Sequence, residues 1–336
     1  MVEWRSRLEH AGKFQHLRFV YEGLTNISQE ALPPGAMLLG VVLSDDKTNI
    51  LVMSSNHMVY PVLISLANID ACIHSKSSLH THLLLALLPI AKFMHKTTCV
   101  RSLLQDRLVH QALNIDLSPL KTAAAVGIMS DPRGNLCYCF TPIAAWIADT
   151  PEECLLSGTS LKVSPVTTTT SKNFGDPYQH PPHTGTMMLA AIHKVCSQHS
   201  PMDYKNFLKV IKWLQLNGII DLCWNIWVLS DASDFITPKV LHHFHGMFWN
   251  HNVKWCISVT GAAELDFRFS LIQTLVGYRA FNEGISKLKQ VTSRDHCEIQ
   301  HYIIGAVAGS VPCKFLMAIC VLLDFCYLAQ APSFTT

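Results

Sequence analysis

Two carboxylates stand side by side where an apolar run ends. In AMLLGVVLSDDKTN, residues 36–49, the β-rich stretch stops at Asp45 and Asp46, and Lys47 and Thr48 follow. Strands end where apolar alternation gives way to polar turn residues, so the pair is expected at the rim of a sheet, where carboxylates escape the cost of burial. Such a rim is where open α/β sheets place their chemistry. Far along the chain, CFTPIAAWIADTPEE stops a second apolar run at Asp149. Two strand-ending aspartates so distant in sequence could together hold a divalent cation. Hard Mg²⁺ takes carboxylate oxygens and keeps several waters. Such an ion activates a water and stabilises the leaving oxygen of phosphoryl transfer.

Each acid also has a structural reading. Asp45 and Asp46 would serve a solvated turn, with Asp46 capping the next element. Asp149 opens Asp-Thr-Pro-Glu-Glu, a good helix start with a capping aspartate, an early proline and acids in the first turn. Both readings put the Asp149 carboxylate at a strand-to-helix junction. Lys47 suits a phosphate contact or plain solvation. His242, His243, His245 and His251 lie in an aromatic helix with Phe244, Phe248, Trp249 and Trp255, and His242 and His245 share a face. No third ligand at matching spacing accompanies them, so packed or surface histidines account for the group. Lys205, Lys209 and Lys212 make one basic helix face, suited to phosphates or to simple solvation. The chain has no GxSxG elbow, no Walker A sequence and no GxGxxG.

The elements that must position the acids follow from period and punctuation. Residues 1–29 are polar and mixed, with Leu17, Phe19, Val20 and Leu24 spaced for a short helix or strand, before Pro33-Pro34-Gly35 breaks the chain. Three strands follow, MLLGVVLS, NILVMS and VYPVLISLAN, with a hairpin turn at residues 54–57. Residues 77–94 read as a helix capped by Ser77, and 99–113 as a second, amphipathic one. The turn Asp131-Pro132-Arg133-Gly134 leads into the strand NLCYCFTPIAAWIAD. Residues 156–182, rich in Thr, Pro and Gly with no helical period, read as a linker or long loop. Beyond them MMLAAIHKVC, YKNFLKVIKWLQLNGI, PKVLHHFHGMFWNHNVKWCI and EGISKLKQV read as amphipathic helices, with Gly218 ending the second.

Length and composition set the class. At 336 residues the chain allows two domains. With 49% apolar and 15% charged residues it can bury a large core rather than stay disordered. A net charge of +2 gives no general attraction to polyanions, so nucleic acid would be held by local patches. The twelve cysteines contain no CxxC pair, which excludes a zinc site built on paired knuckles. The charged start MVEWRSRLEH lacks the apolar region of a secretory signal, so a reducing compartment and free thiols are expected. The apolar tail, residues 302–329, is interrupted by Pro312, Lys314 and Asp324. Its pieces are shorter than the roughly 20 residues a membrane span needs, so buried helices are expected.

Taken in order and spacing, GVVLSDDKTNI, YPVLISLANID, LLLALLPIA, IADTPEE, TSKNFGDPY, VLHHFHGMFWNHNVKWC, ELDFRF and EGISKLKQVT resemble the Plavaka-type transposases, from residue 33 onward. These belong to large DNA transposons abundant in mushroom-forming fungi and are related to the CACTA and Kyakuja-Dileera-Zisupton groups. The resemblance implies an RNase H-like α/β fold: a mixed sheet core with a long, mostly helical insertion and a helical C-terminal part. It implies DDE-type chemistry, with acids holding Mg²⁺ or Mn²⁺ to cleave and join DNA at transposon ends in the nucleus. It calls for no small-molecule cofactor and no membrane, and it allows an oligomer. Carried over, Asp46 of the SDDKT block becomes the first metal ligand, Asp45 its catalytic neighbour and Asp149 of IADTPEE the second ligand. The implied domains are 1–32, an N-terminal segment; 33–155, the first part of the core; 156–235, linker and helical insertion; and 236–336, a helical part completing the core.

The chain departs from the family pattern at the third acid. Where related transposases carry an acid shortly before a Leu-His pair, it reads Pro238-Lys239-Val240-Leu241-His242, and a lysine cannot bind Mg²⁺. Asp231, Asp234, Glu264 and Asp266 are the available substitutes. The cysteine cluster that some relatives carry after the second acid is reduced to Cys154, and no DNA-binding module is expected before the catalytic part. These departures describe a truncated, divergent copy, either active or a dead remnant acting as a DNA- or protein-binding module.

Overall fold

The computed structural model describes residues 32–329 except 34, 50–57, 75, 132, 239–240, 274–278, 289–290 and 292. The expected N-terminal element around Leu17 to Leu24, the turn at 54–57, and Lys239 and Val240 all lie outside the described residues. The chain divides into two compact units, Met1–Pro238 and Lys239–Thr336.

In the first unit, β1 (Met37–Leu38) runs into β2 (Val41–Asp45), whose apolar VVL start suits a pleated, buried surface. β3 (Thr48–Asn49) and β4 (Met58–Val59) pair antiparallel and lead to β5 (Pro61–Leu66). A helical turn, α1 (Ala71–His74), precedes β6 (Leu83–Leu87). Helices α2 (Thr98–Asp116) and α3 (Ser118–Val126) follow, then the hairpin of β7 (Ile128–Ser130) and β8 (Leu136–Phe140). The carboxylate of Asp131 closes that hairpin by accepting from the N–H groups of Arg133 and Asn135, both at 2.8 Å. β9 (Ile143–Ala148) lies parallel to β2, and β10 (Ile236–Pro238) parallel to β9. The result is a mixed five-stranded sheet in the order β10-β9-β2-β5-β6.

The expected helix over residues 77–94 is a 3₁₀ turn followed by strand β6. Leucine favours helices in isolation, but this five-residue run pairs antiparallel with β5 through Val62↔Ala86 and Ile64↔Leu83. Ladder bonds to β5 outweigh intrinsic preference in so short a segment, although Leu83, Leu84 and Leu87 stay exposed.

Helices α4 (Thr150–Ser157), α5 (Gly185–Gln198), α6 (Tyr204–Trp213) and α7 (Ala232–Phe235) complete the unit before β10. Val41 and Leu43 of β2 and Trp146 and Ala148 of β9 enter one core with Leu103 of α2, Met188 of α5 and Phe207 of α6. Trp146 is fully buried, its ring 6.5 Å from that of Phe235. Val42, Ala67, Ala144 and Ala145 form a separate small apolar patch. The register skips at Val41/Val42, so Ala144 is the extra residue that re-phases β9. The expected long loop does span residues between α4 and α5, but it is packed: Val163 bridges Thr170, Thr167 bridges Pro182, and Val163 and Thr169 are buried. α6 ends at Trp213 rather than at Gly218, whose positive φ of 101° serves a close approach to Leu103 instead.

The second unit is mostly helical in its described residues. Two π-helical turns, Leu241–Gly246 and Trp249–Val253, lead into α8 (Lys254–Thr260), and α9 (Ala262–Ser270), α10 (Ser293–Val307) and α11 (Cys313–Leu328) follow. Phe248, Leu265, Phe269, Ile299, Ile303 and Ile319 share its core. The stretch EGISKLKQV, expected as a helix, is a loop in its described residues. Asp266 accepts from the N–H groups of Ile285 and Ser286, both at 2.8 Å, and Gly284 turns with φ of 79°, so these donors are lost to a helical ladder. Pro312 divides the apolar tail into α10 and α11, and no helix among the described residues is long and apolar enough to cross a membrane.

Candidate active site

Parallel pairing of β2 and β9 brings the strand-ending acids to one edge. The ladder runs Leu43↔Trp146 and Ser44↔Ile147. Continued past its last pair, it sets Asp45 level with Ala148 and Asp46 level with Asp149. Alternation then separates the two neighbours: Asp45 is 2% exposed and shares the sheet face of Val41 and Leu43, whereas Asp46 is exposed. Asp149 is half-buried and does two jobs. It ends β9, and it caps α4 by accepting the Glu152 N–H at 3.2 Å, with Pro151 and two glutamates in the first turn.

Tyr60, 3% exposed and just before β5, donates its hydroxyl to Asp45 Oδ2 at 3.3 Å. Its phenol is held far above the usual tyrosine range, first by burial, then by the charge and hydrogen bond of Asp45, then by the charges of Asp149 and Asp106. Tyr60 is therefore a permanent donor, and three carboxylates share its surroundings. Asp106 sits on α2 between buried Leu103 and buried Val109 and His110, on the stripe that enters the core. Burial pushes its carboxyl up to about 6, and the nearby Lys47 charge works against that rise.

The substitutes for a third acid have settled partners or a separate place. Asp231 caps α7 and accepts the Gly185 N–H with both oxygens, at 3.0 and 2.9 Å. Asp234 lies within α7, its carboxyl raised by burial and by Asp231. Glu264 and Asp266 belong to the second unit: Glu264 pairs with Arg268 at 2.7 Å, and Asp266 holds the loop at Ile285 and Ser286. His245 is buried in a polar cluster, with Nδ1 2.7 Å from Gln300 Oε1 and Nε2 3.2 Å from Cys297 Sγ. His251 is exposed, with its ring 6.3 Å from that of Trp255, and the side chains of His242 and His243 lie outside the described residues. Among the described residues, no group of three or more His, Cys, Asp and Glu side chains is gathered to hold a metal ion.

A family model described as Plavaka transposase matches residues 18–256, more than half of the chain. The chain belongs to the Plavaka transposase family. No curated protein matches it. The Plavaka match takes in Asp45, Asp46, Asp106, Asp149, Asp231 and Asp234, and it stops before Glu264, Asp266 and the ELDFRF and EGISKLKQVT blocks. Membership marks the chain as transposase-derived. Within the Plavaka match, the acid that sequence reading passed over is Asp106. Its signal was present: a carboxylate at i+3 from Leu103 and i−3 from Val109, inside the apolar stripe of an amphipathic helix.

Proposed function

We infer that this Plavaka-family chain carries an RNase H-like core and acts on DNA, cleaving and joining phosphodiester strands with Mg²⁺ or Mn²⁺. The observation that carries the reading is the parallel β2–β9 pair, which ends both strands in aspartates at one edge. The sheet supports the fold assignment: three strands consecutive along that sheet run antiparallel, and β9 and β10 join in parallel beside the first of them.

The donor set fits a hard, oxygen-seeking cation. Mg²⁺ takes one or two protein carboxylates and completes its shell with water and substrate phosphate, so Asp46 and Asp149 suffice as protein ligands. When bound, the ion would activate the attacking oxygen and stabilise the leaving one. The chain's own groups do the rest. Tyr60, unable to ionise, fixes Asp45 behind the edge through its hydroxyl. Exposed Lys47 offers a cation to a phosphate on the solvent side. Asp106, with its carboxyl near 6, is placed to trade a proton close to neutral pH.

The competing reading, a dead remnant that binds DNA or protein, is favoured by one observation: Asp149 already gives an oxygen to the Glu152 N–H. Incubation of plasmid DNA with Mg²⁺ and the full chain separates the two. Strand cleavage by the wild type and none by a folded Asp46→Asn variant is expected. Equal cleavage by both would end the catalytic assignment, and none by either would favour the remnant. Work on chromosomal DNA would place the protein in the nucleus.

A further inference from the structure

Helix α6 presents a surface that the strand-end chemistry does not use. Its sequence YKNFLKVIKW buries Phe207, Leu208 and Ile211 and turns Lys205, Lys209 and Lys212 outward, all three exposed. The helix carries no carboxylate, and among the described residues none pairs with these lysines. Trp213 closes the helix one turn beyond Lys209 and is 83% exposed. Indole rings are seldom left so open, because their large apolar faces repay burial.

The ring borders an open groove of about 610 Å³, also lined by Gln198, His199, Asn206 and Lys209. Asp203 lies there too, but it caps α6, accepting from the Asn206 N–H at 3.3 Å and its Nδ2 at 2.6 Å. The groove therefore combines an open aromatic face, one cation at Lys209 and amide and imidazole groups able to meet base edges, while Lys205 and Lys212 extend the cationic row along the helix beside it. The row spans about 10 Å at the rise of an α-helix, more than one phosphate spacing of a strand.

The surface is fixed to the helix that bears Asp106. Arg107 of α2 donates to Pro201 O and to Gly218 O, both at 3.1 Å, and its guanidinium lies 5.3 Å from the centre of the Phe207 ring.

The geometry points to the α6 groove as a binding site for single-stranded DNA, with an unpaired base stacked on Trp213 and its backbone tracked by Lys205, Lys209 and Lys212. This rests on the reading of the chain as a DNA-acting protein. Single strands rather than duplex follow from the ring: paired bases offer only their edges in the grooves, whereas an unpaired base offers a face for an aromatic platform. An element end opened for cutting would supply such a strand.

The test measures binding of a labelled thymidine 20-mer and of a hairpin duplex to the full chain, by fluorescence anisotropy in EDTA. Without divalent ions the outcome is independent of catalysis. Trp213→Ala, a surface change, is expected to weaken the single strand about tenfold and leave the duplex unaffected. The triple variant Lys205→Gln, Lys209→Gln, Lys212→Gln is expected to weaken both and to flatten the salt dependence by about two in log–log slope. Wild-type affinity in Trp213→Ala, an equal loss on both DNAs, or no single-strand binding by the wild type would each overturn the proposal. Loss of single-strand binding in a chain that never cleaves would keep the groove and remove the catalytic reading. Cleavage with no contribution from Trp213 would do the reverse.

Discussion

The strand-end acids of the sheet unit are used differently from the acids of the helical unit, although Asp131, Asp203 and Asp231 of the sheet unit also hold backbone N–H groups. In the helical unit, Asp266 holds two backbone N–H groups of a loop, Asp295 meets Arg279 at 2.8 Å, and Glu264 meets Arg268 at 2.7 Å. In the sheet unit, Asp45, Asp46 and Asp149 are delivered to one edge by strand pairing, and the charge of Asp106 on α2 reaches Tyr60 beside Asp45. The first group is spent on holding backbone and cations in place. The second lies at strand ends and on a packed helix, with Asp46 exposed and Asp106 driven to a raised protonation range. A carboxylate's neighbours, more than its position in a motif, decide whether it can serve an ion or a proton.

This contrast can be broken by substitution. The largest effect is expected at Asp266. Asp266→Ala strips an acceptor from two N–H groups and the Ser286 hydroxyl and should lower stability by about 3 kcal/mol in urea unfolding. A change close to zero would mean that the loop does not depend on it.

A smaller effect with a defined pH profile is expected at Asp106. Its folded carboxyl, at about 6, lies above the ordinary value of 3.8, so the native state binds the proton more tightly than the unfolded chain. The stability this gives is complete below that ordinary value and is lost as pH rises through the folded one. Asp106→Asn should therefore gain about 1–2 kcal/mol over the wild type at pH 8, with the difference closing toward pH 4. A difference independent of pH would contradict the burial of that carboxylate.

Asp149 separates capping from ligation. Asp149→Ala should cost about 1 kcal/mol in thermal unfolding, whereas Asp149→Asn keeps a good cap and should cost a few tenths. The smallest effect is expected at exposed Glu264, where Glu264→Ala should cost about 0.5 kcal/mol or less and lose even that in high salt.

Much of the sheet was legible because its strands announce their ends. VVLSD stops at a carboxylate, and Asp131 with Gly134 marks the β7–β8 turn through bonds local in sequence. The leucines of β6, of which Leu83, Leu84 and Leu87 stay exposed, were misread: they favour helix by residue type, and their strand is set by a partner elsewhere in the chain. The loop at Ile285 and Ser286 was misread for a similar reason: amphipathic spacing is visible, whereas capture by Asp266 is a tertiary event. At the site, the strand-ending pair and the capping role of Asp149 were both readable. Asp106 was not singled out, because a single polar residue in an apolar stripe acquires meaning only when the helix is laid on the sheet. Lys239, which occupies the expected place of an acid, lies outside the described residues.

The measurement that tests the central claim most directly is calorimetric titration of the full chain with Mg²⁺, beside a folded Asp46→Asn, Asp149→Asn double variant. Binding by the wild type and its loss in the double variant is the predicted result: two aspartates from parallel strands serve one ion. Binding of equal strength in both, or none in the wild type, would contradict the account and leave the strand-end acids as structure.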